Sequence, residues 1–302
     1  MNILLTGAFP YDAAQIRKIE KLGCTVEFVQ EERKTLSLDC ALFDAVVCNS
    51  LFLYNDIAAF KRLQYIQLTS AGLERAPLAY IREHGITLQN ARGVYSVPMA
   101  EWIVLKILEI YKDSKGFYKR QKEKRWEKNR NLLELNGKTA CIVGAGSVGQ
   151  EAARRLQAFG VVVKAVDVCD VHSPFIDHVF PMQELDTALA QSDIAVLTLP
   201  LTPDTKHLFD RARFAKMKDA AVLVNVARGA VIKEEDLITA LANGKLLGAA
   251  LDVFEDEPLT QNSPLWDMDH VVITPHNSFV SDKVNARLFA LIYNNLLQYI
   301  SR

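Results

Sequence analysis

Three glycines placed directly after an apolar strand constrain this chain most. Residues 139–149 read Thr-Ala-Cys-Ile-Val-Gly144-Ala-Gly146-Ser-Val-Gly149, and a helical pattern continues to about Phe159. A strand that enters G-x-G-x-x-G and leaves as a helix needs glycine for three reasons. The first permits the tight turn, the second lets a pyrophosphate approach the backbone, and the third allows close packing of helix on strand. Free N–H groups at the helix N-terminus then face the phosphates, where the helix dipole also favours negative charge. Asp167 closes the next strand 18 residues after Gly149, near the roughly 20 expected for an acid that binds the ribose hydroxyls. An aspartate there repels a 2′-phosphate, and Val168 and Cys169 supply no cation to hold one. The expected ligand is NAD rather than NADP.

The rest of the chain provides a frame for this unit. With 302 residues, 50% hydrophobic and 24% charged, it has the composition of a globular protein large enough for two domains. The net charge of −1 gives no field that would collect nucleic acid or an anionic membrane surface. No apolar run approaches the length of a membrane span, and the N-terminus reads as a buried strand rather than a signal peptide. The five cysteines (Cys24, Cys40, Cys48, Cys141, Cys169) form no C-x-x-C pair, so buried thiols, a reducing cytoplasm and no metal site are expected.

Apolar runs alternate with helical stretches, which predicts an α/β protein with parallel sheets. Strands are expected at 2–6, 25–29, 44–48, 65–68 and 86–88 in a small first domain. Six more, at 139–143, 161–166, 194–199, 221–225, 247–251 and 271–274, predict a doubly wound sheet. The segment 97–111 is apolar on nearly every face, with Ser96 as its expected cap and Pro98 in its first turn. It is expected between domains or in a subunit contact. The segment 112–130 carries nine basic residues against three acidic ones, with Phe117, Tyr118 and Trp126 interleaved. It is read as a solvated helix with its aromatic residues packed inward, not as a nucleic-acid site. A last helix, about 283–299, has its apolar residues on one face.

Three ionisable groups stand after three successive predicted strands of the second unit: Arg228, Glu257 and His276. Strand ends of this kind converge on one crevice. Arginine can hold a carboxylate with its fork of donors, and a histidine beside a carboxylate can act as an acid. With a hydride from reduced nicotinamide, such a set reduces a 2-oxo acid. Singly, a surface ion pair, a capping acid and a loop histidine would explain them. Three together at successive strand ends point to chemistry.

Over almost its whole length the chain resembles the D-isomer-specific 2-hydroxyacid dehydrogenase family. The likeness is carried by Ser70-Ala71-Gly72, the segment 90–101, the glycine fingerprint, the segment 199–205, Asn225 to Gly229, Asp252 to Pro258, and Pro275-His276. The resemblance implies a flavodoxin-like substrate domain (1–96 and 281–302) and a Rossmann NAD-binding domain (97–280). It implies that Arg228 binds the carboxylate and carbonyl of the substrate, that Glu257 orients His276 and raises its basicity, and that His276 transfers the proton. Backbone N–H groups around Ser70, Ala71 and Gly72 are then expected to receive the carboxylate. Gly144, Gly146, Ser147, Val148 and Gly149 would lie under the pyrophosphate and Asp167 on the ribose. Leu199, Pro200 and Thr205 would lie along the cofactor, and Val226, Ala227 and Asp252 near the nicotinamide. A homodimer through 97–111 is also implied.

The loops 49–54 and 69–74 carry apolar side chains and one acid but no Lys or Arg, although Arg75 and Arg92 stand close by in sequence. The expected substrate is therefore a small unphosphorylated 2-oxo acid: glyoxylate, hydroxypyruvate or a short branched one. No regulatory extension is expected, which weighs against a long-form phosphoglycerate dehydrogenase. A nicotinamide-sensing corepressor-like binding protein is the alternative of a different class, and formate or phosphite oxidation the alternative within the enzymes.

Overall fold

The computed structural model describes residues 1–301. It contains two compact units: Met1–Tyr95 with the segment from Ser281 on, and Ser96–Val280.

In the first unit the chain runs β1 (Asn2–Thr6), α1 (Ala13–Glu20), β2 (Thr25–Val29), β3 (Ala45–Cys48), β4 (Tyr65–Leu68), α2 (Leu78–Glu83) and β5 (Thr87–Gln89). All neighbouring strands are parallel, in the order β2-β1-β3-β4-β5, which is the flavodoxin-like order. Alternation along each strand feeds two cores. Ile3, Leu5, Ala45 and Val47 face one, and Leu4, Val46 and Cys48 face the other.

The second unit opens with α3 (Ser96–Tyr111) and α4 (Ser114–Lys122), then β6 (Thr139–Val143), α5 (Ser147–Ala158), β7 (Val162–Asp167) and β8 (His178–Pro181). It continues through α6 (Leu185–Ala190), β9 (Ile194–Leu197), α7 (Arg211–Lys216), β10 (Ala221–Asn225), α8 (Glu234–Ala242), β11 (Leu246–Leu251) and β12 (Val271–Ile273). The sheet is parallel in the order β12-β11-β10-β9-β6-β7-β8. Ala140 and Ile142 pack with α3 and α5 on one face, while Cys141 and Val143 pack with α6, α7 and α8 on the other. The chain then returns to the first unit as α9 (Val284–Ile300), whose Val284, Leu288, Ile292 and Leu296 join the core on the β1 side.

Three expectations need correction. The second sheet has seven strands, not six: β8 is a four-residue edge strand that ends in Pro181 and buries only Phe180, too short and too exposed to show as an apolar run. In 112–130 only Ser114–Lys122 is helical, and the aromatics do not all pack inward, since Tyr118 is 63% and Trp126 99% exposed. Ser96 lies inside α3 rather than capping it, and its buried hydroxyl has no hydrogen-bond partner. All five cysteines are free. Cys24, Cys48 and Cys141 are buried, Cys40 is half-buried, and Cys169 is exposed. Among the described residues no helix is long and apolar enough to cross a membrane.

Candidate active site

The second unit builds its site at the C-terminal ends of β6, β7, β9, β10, β11 and β12. At the end of β6, Gly144 adopts φ +96°, and a Cβ on it would lie 2.7 Å from the Leu199 nitrogen. At Gly149 a Cβ would meet the Gly144 carbonyl oxygen at 2.4 Å. Strand, turn and helix therefore close on each other at two glycines. Gly146 differs: a Cβ there would meet nothing within 4 Å. It caps α5 without any side-chain hydrogen bond, leaving the first-turn N–H groups of the helix to a ligand. This open backbone at a helix N-terminus fits a dinucleotide pyrophosphate.

Asp167, at the end of β7, accepts hydrogen bonds from the Ala145 N–H at 2.7 Å and the Cys169 N–H at 3.0 Å. The acid is thus fixed against the glycine turn rather than loose on the surface. Leu199 is buried and Pro200 exposed. The Thr205 hydroxyl stays within its own loop, donating to the Pro200 carbonyl at 2.7 Å and accepting from the Thr202 N–H at 2.7 Å.

At the end of β10 the buried Asn225 shapes the turn that carries Arg228. Its Oδ1 accepts from the Ala227 N–H at 3.0 Å, and its Nδ2 donates to the Arg228 carbonyl at 3.1 Å. Val226 and Ala227 are buried beneath it, and Arg228 Nη1 donates to the Ala227 carbonyl at 2.7 Å. A Cβ on Gly229 would lie 1.8 Å from the Phe254 carbonyl carbon and oxygen. Only glycine lets the Arg228 turn pack against the segment after β11, which carries Glu257.

Glu257 and His276 meet directly: His276 Nδ1 lies 2.8 Å from Glu257 Oε2, and Glu257 Oε1 accepts from the Phe254 N–H at 3.2 Å. The His276 backbone sits at φ +50°, a left-handed conformation uncommon for a non-glycine residue and associated with functional sites. It is held there by its own N–H, which donates to the carbonyls of Asp252 (2.8 Å) and Thr274 (3.1 Å). Asp252, expected near the nicotinamide, is 1% exposed and serves as the anchor of this loop. Its carboxylate accepts from the Thr274 hydroxyl, the Asn277 N–H at 2.8 Å and the Ser278 N–H at 3.0 Å.

Residues 104–278 match the family model of the D-isomer specific 2-hydroxyacid dehydrogenase NAD binding domain. A glyoxylate reductase of Thermofilum pendens is 36% identical over 247 residues, covering 79% of this chain and 72% of its relative. The chain belongs to the D-isomer-specific 2-hydroxyacid dehydrogenase family. Solved structures of the family superpose along nearly the full length. A Xanthobacter autotrophicus member in complex with NADPH and MES matches at TM-score 0.80 and 26% identity, over 99% of this chain and 94% of that one. A D-lactate dehydrogenase of Aquifex aeolicus with NAD and lactic acid matches at TM-score 0.82 and 25% identity, over 99% and 96%. As a 2-hydroxyacid dehydrogenase, the protein is an oxidoreductase that uses a nicotinamide dinucleotide on small 2-oxo or 2-hydroxy acids.

In the first unit of this dehydrogenase, the loop containing Ser70, Ala71 and Gly72 is braced from one side. Ser70 Oγ donates to the Gly72 carbonyl at 2.9 Å, Asn90 Nδ2 donates to the Ala71 carbonyl at 2.7 Å, and the Tyr95 hydroxyl donates to the Thr69 carbonyl. Asn225, Gly229 and Thr274 lie within the sequence motifs, yet the motifs alone assign them no role. Their work is local packing and backbone hydrogen bonding, which residue type does not announce.

Proposed function

We propose that this enzyme reduces a small unphosphorylated 2-oxo acid, glyoxylate, hydroxypyruvate or a short branched acid, to its D-2-hydroxy acid with NADH. The His276–Glu257 pair, beside Arg228 and on the same strand edge as the glycine turn, is the observation that carries this reading.

When bound, the reduced nicotinamide supplies a hydride to the carbonyl carbon. Arg228 binds the substrate carboxylate with its planar guanidinium and polarises the carbonyl. His276 gives the proton from Nε2 to the carbonyl oxygen, while Nδ1 remains on Glu257, whose charge stabilises the imidazolium that donates and fixes the ring. One hydride and one proton complete the hydroxyl, and His276 is reprotonated from water. Backbone N–H groups at Ser70 to Gly72 receive the carboxylate as well. Asp167 binds the ribose diol, which favours NAD, since a 2′-phosphate would meet its charge. The apolar loop 49–54 supports an unphosphorylated substrate.

A cytoplasmic homodimer completes the reading. The second unit exposes Leu105, Tyr118 and Trp126 beside an apolar groove lined by Tyr111, Leu133, Leu247, Trp266 and Ile273, and a second copy burying both would explain them. The decisive experiment tracks nicotinamide absorbance with NADH and NADPH in parallel over a panel of phosphorylated and unphosphorylated 2-oxo acids. Turnover with NADH and an unphosphorylated acid is expected. A lower KM for 3-phosphohydroxypyruvate than for hydroxypyruvate would overturn the substrate assignment.

A further inference from the structure

The first unit contains a buried acid that the reaction does not use. Glu32, in the loop after β2, is 5% exposed, and no ion pair to it is found among the described residues. Its Oε2 accepts from the Thr6 hydroxyl at 2.7 Å and the Asn49 N–H at 3.0 Å, and its Oε1 accepts from the Ser50 N–H at 2.5 Å. These donors have a particular place in the sheet. Thr6 ends β1, Asn49 and Ser50 come directly after β3, and the order β2-β1-β3-β4-β5 reverses between β1 and β3. The C-terminal crevice at such a reversal is where open α/β sheets bind their ligands. Here the carboxylate of Glu32 fills it and takes the backbone N–H groups an anionic ligand would use. The neighbouring Gly7 leaves no phosphate loop, because a Cβ there would lie 2.0 Å from the Gln30 carbonyl oxygen.

The Glu32 contacts also fix the adjoining turn. Ser50 precedes a single 3-10 turn, Leu51–Leu53, in which Leu51 is buried while Leu53 and Tyr54 are exposed. Asn55 ties the other end of this turn to the Glu32 loop: its Oδ1 accepts from the Leu36 N–H at 2.9 Å, and its Nδ2 reaches the carbonyls of Lys34 at 3.0 Å and Leu51 at 3.2 Å. We propose that Glu32 is a positioning residue for substrate selection, holding the turn Leu51–Leu53 so that its apolar side chains choose among 2-oxo acids by the size of the group on the carbonyl. The inference rests on the reading of this enzyme as a reductase of small 2-oxo acids.

Glu32→Gln keeps the shape but sets an amide N–H₂ against backbone donors. Asn55→Ala loosens the same turn from its outer end and leaves the crevice intact, so it carries the test if Glu32→Gln does not fold. Two measurements are made on each full-length variant: amide hydrogen exchange of residues 49–55, and kcat and KM for glyoxylate and for a branched 2-oxo acid. Exchange at 49–55 is expected to rise at least tenfold. The ratio of kcat/KM between the two acids should change at least fivefold through KM, with kcat within twofold and NADH binding unchanged. Unchanged exchange would show that Glu32 does not hold the turn, and raised exchange with an unchanged ratio would show that the turn does not select; either overturns the proposal. If the wild-type enzyme turns over no 2-oxo acid, the reductase reading falls and selection with it, while exchange still decides the anchoring.

Discussion

Nδ1 of His276 stands 2.8 Å from Oε2 of Glu257 while the histidine backbone is held in the left-handed region at φ +50°. The strained backbone and the side-chain bond share one purpose, since both direct the free Nε2 away from the loop. Removing the acid or the base should therefore slow chemistry without disturbing the dinucleotide fold. His276→Ala and Glu257→Gln are each expected to lower NADH turnover by about 10²–10⁴, the usual worth of a positioned acid or base. NADH binding, monitored by nicotinamide fluorescence, should stay near wild type. An unaffected rate in His276→Ala would refute the assignment.

Gly229 is the joint between the Arg228 turn and the Glu257 segment. Its φ is not positive, so its requirement is space alone: a methyl group would overlap the Phe254 carbonyl. Gly229→Ala should push the two segments apart, destabilising the second unit by about 1–3 kcal/mol as overpacking does. It should also raise KM for the 2-oxo acid more than KM for NADH, because Arg228 moves while the glycine turn at β6 does not. Thermal melts and the two KM values together check this.

Legibility from residues alone depends on how far each signal extends along the chain. The glycine fingerprint and the run of apolar strands are local patterns, so the two parallel sheets were legible before any coordinates. Strand β8 was not, because four residues at a sheet edge bury a single Phe180 and leave no periodicity. Trp126 was misplaced because its helix stops at Lys122, and nothing in an aromatic residue states which side of a loop it takes. Asp252 shows the deeper limit. Its place after a strand suggested a ligand contact, yet both oxygens face the loop of His276, a pairing across 22 to 26 residues that only the register of β11 and β12 creates.

Cofactor choice turns on Asp167, whose carboxylate is fixed by the Ala145 and Cys169 N–H groups. Asp167→Ser should remove both the acceptor for the ribose hydroxyls and the repulsion of a 2′-phosphate. The KM for NADH is expected to rise by roughly tenfold, in line with losing one charge-assisted hydrogen bond, while activity with NADPH improves. A variant whose preference between NADH and NADPH matches wild type would show that other residues discriminate.

Asp193 offers a test of stability at the opposite edge of the same sheet. Burial alone would raise its pKa, but the Thr139 N–H at 2.9 Å and Lys218 Nζ at 3.0 Å outweigh burial and hold the carboxyl below its ordinary value. A depressed folded-state pKa contributes stability that is present above the unfolded value, about 3.9 for aspartate, and is lost as pH falls through the folded value. Asp193→Asn should accordingly melt at a lower temperature than wild type at pH 7, with kcat unchanged because the residue is remote in the sheet from the strand ends that carry Arg228 and His276. The gap between the two proteins should hold down to about pH 5 and then narrow below about pH 4 as wild type loses the charge. A gap that stays constant into that acid range would mean that the shape of the side chain, not its ionisation, ties β6 to β9.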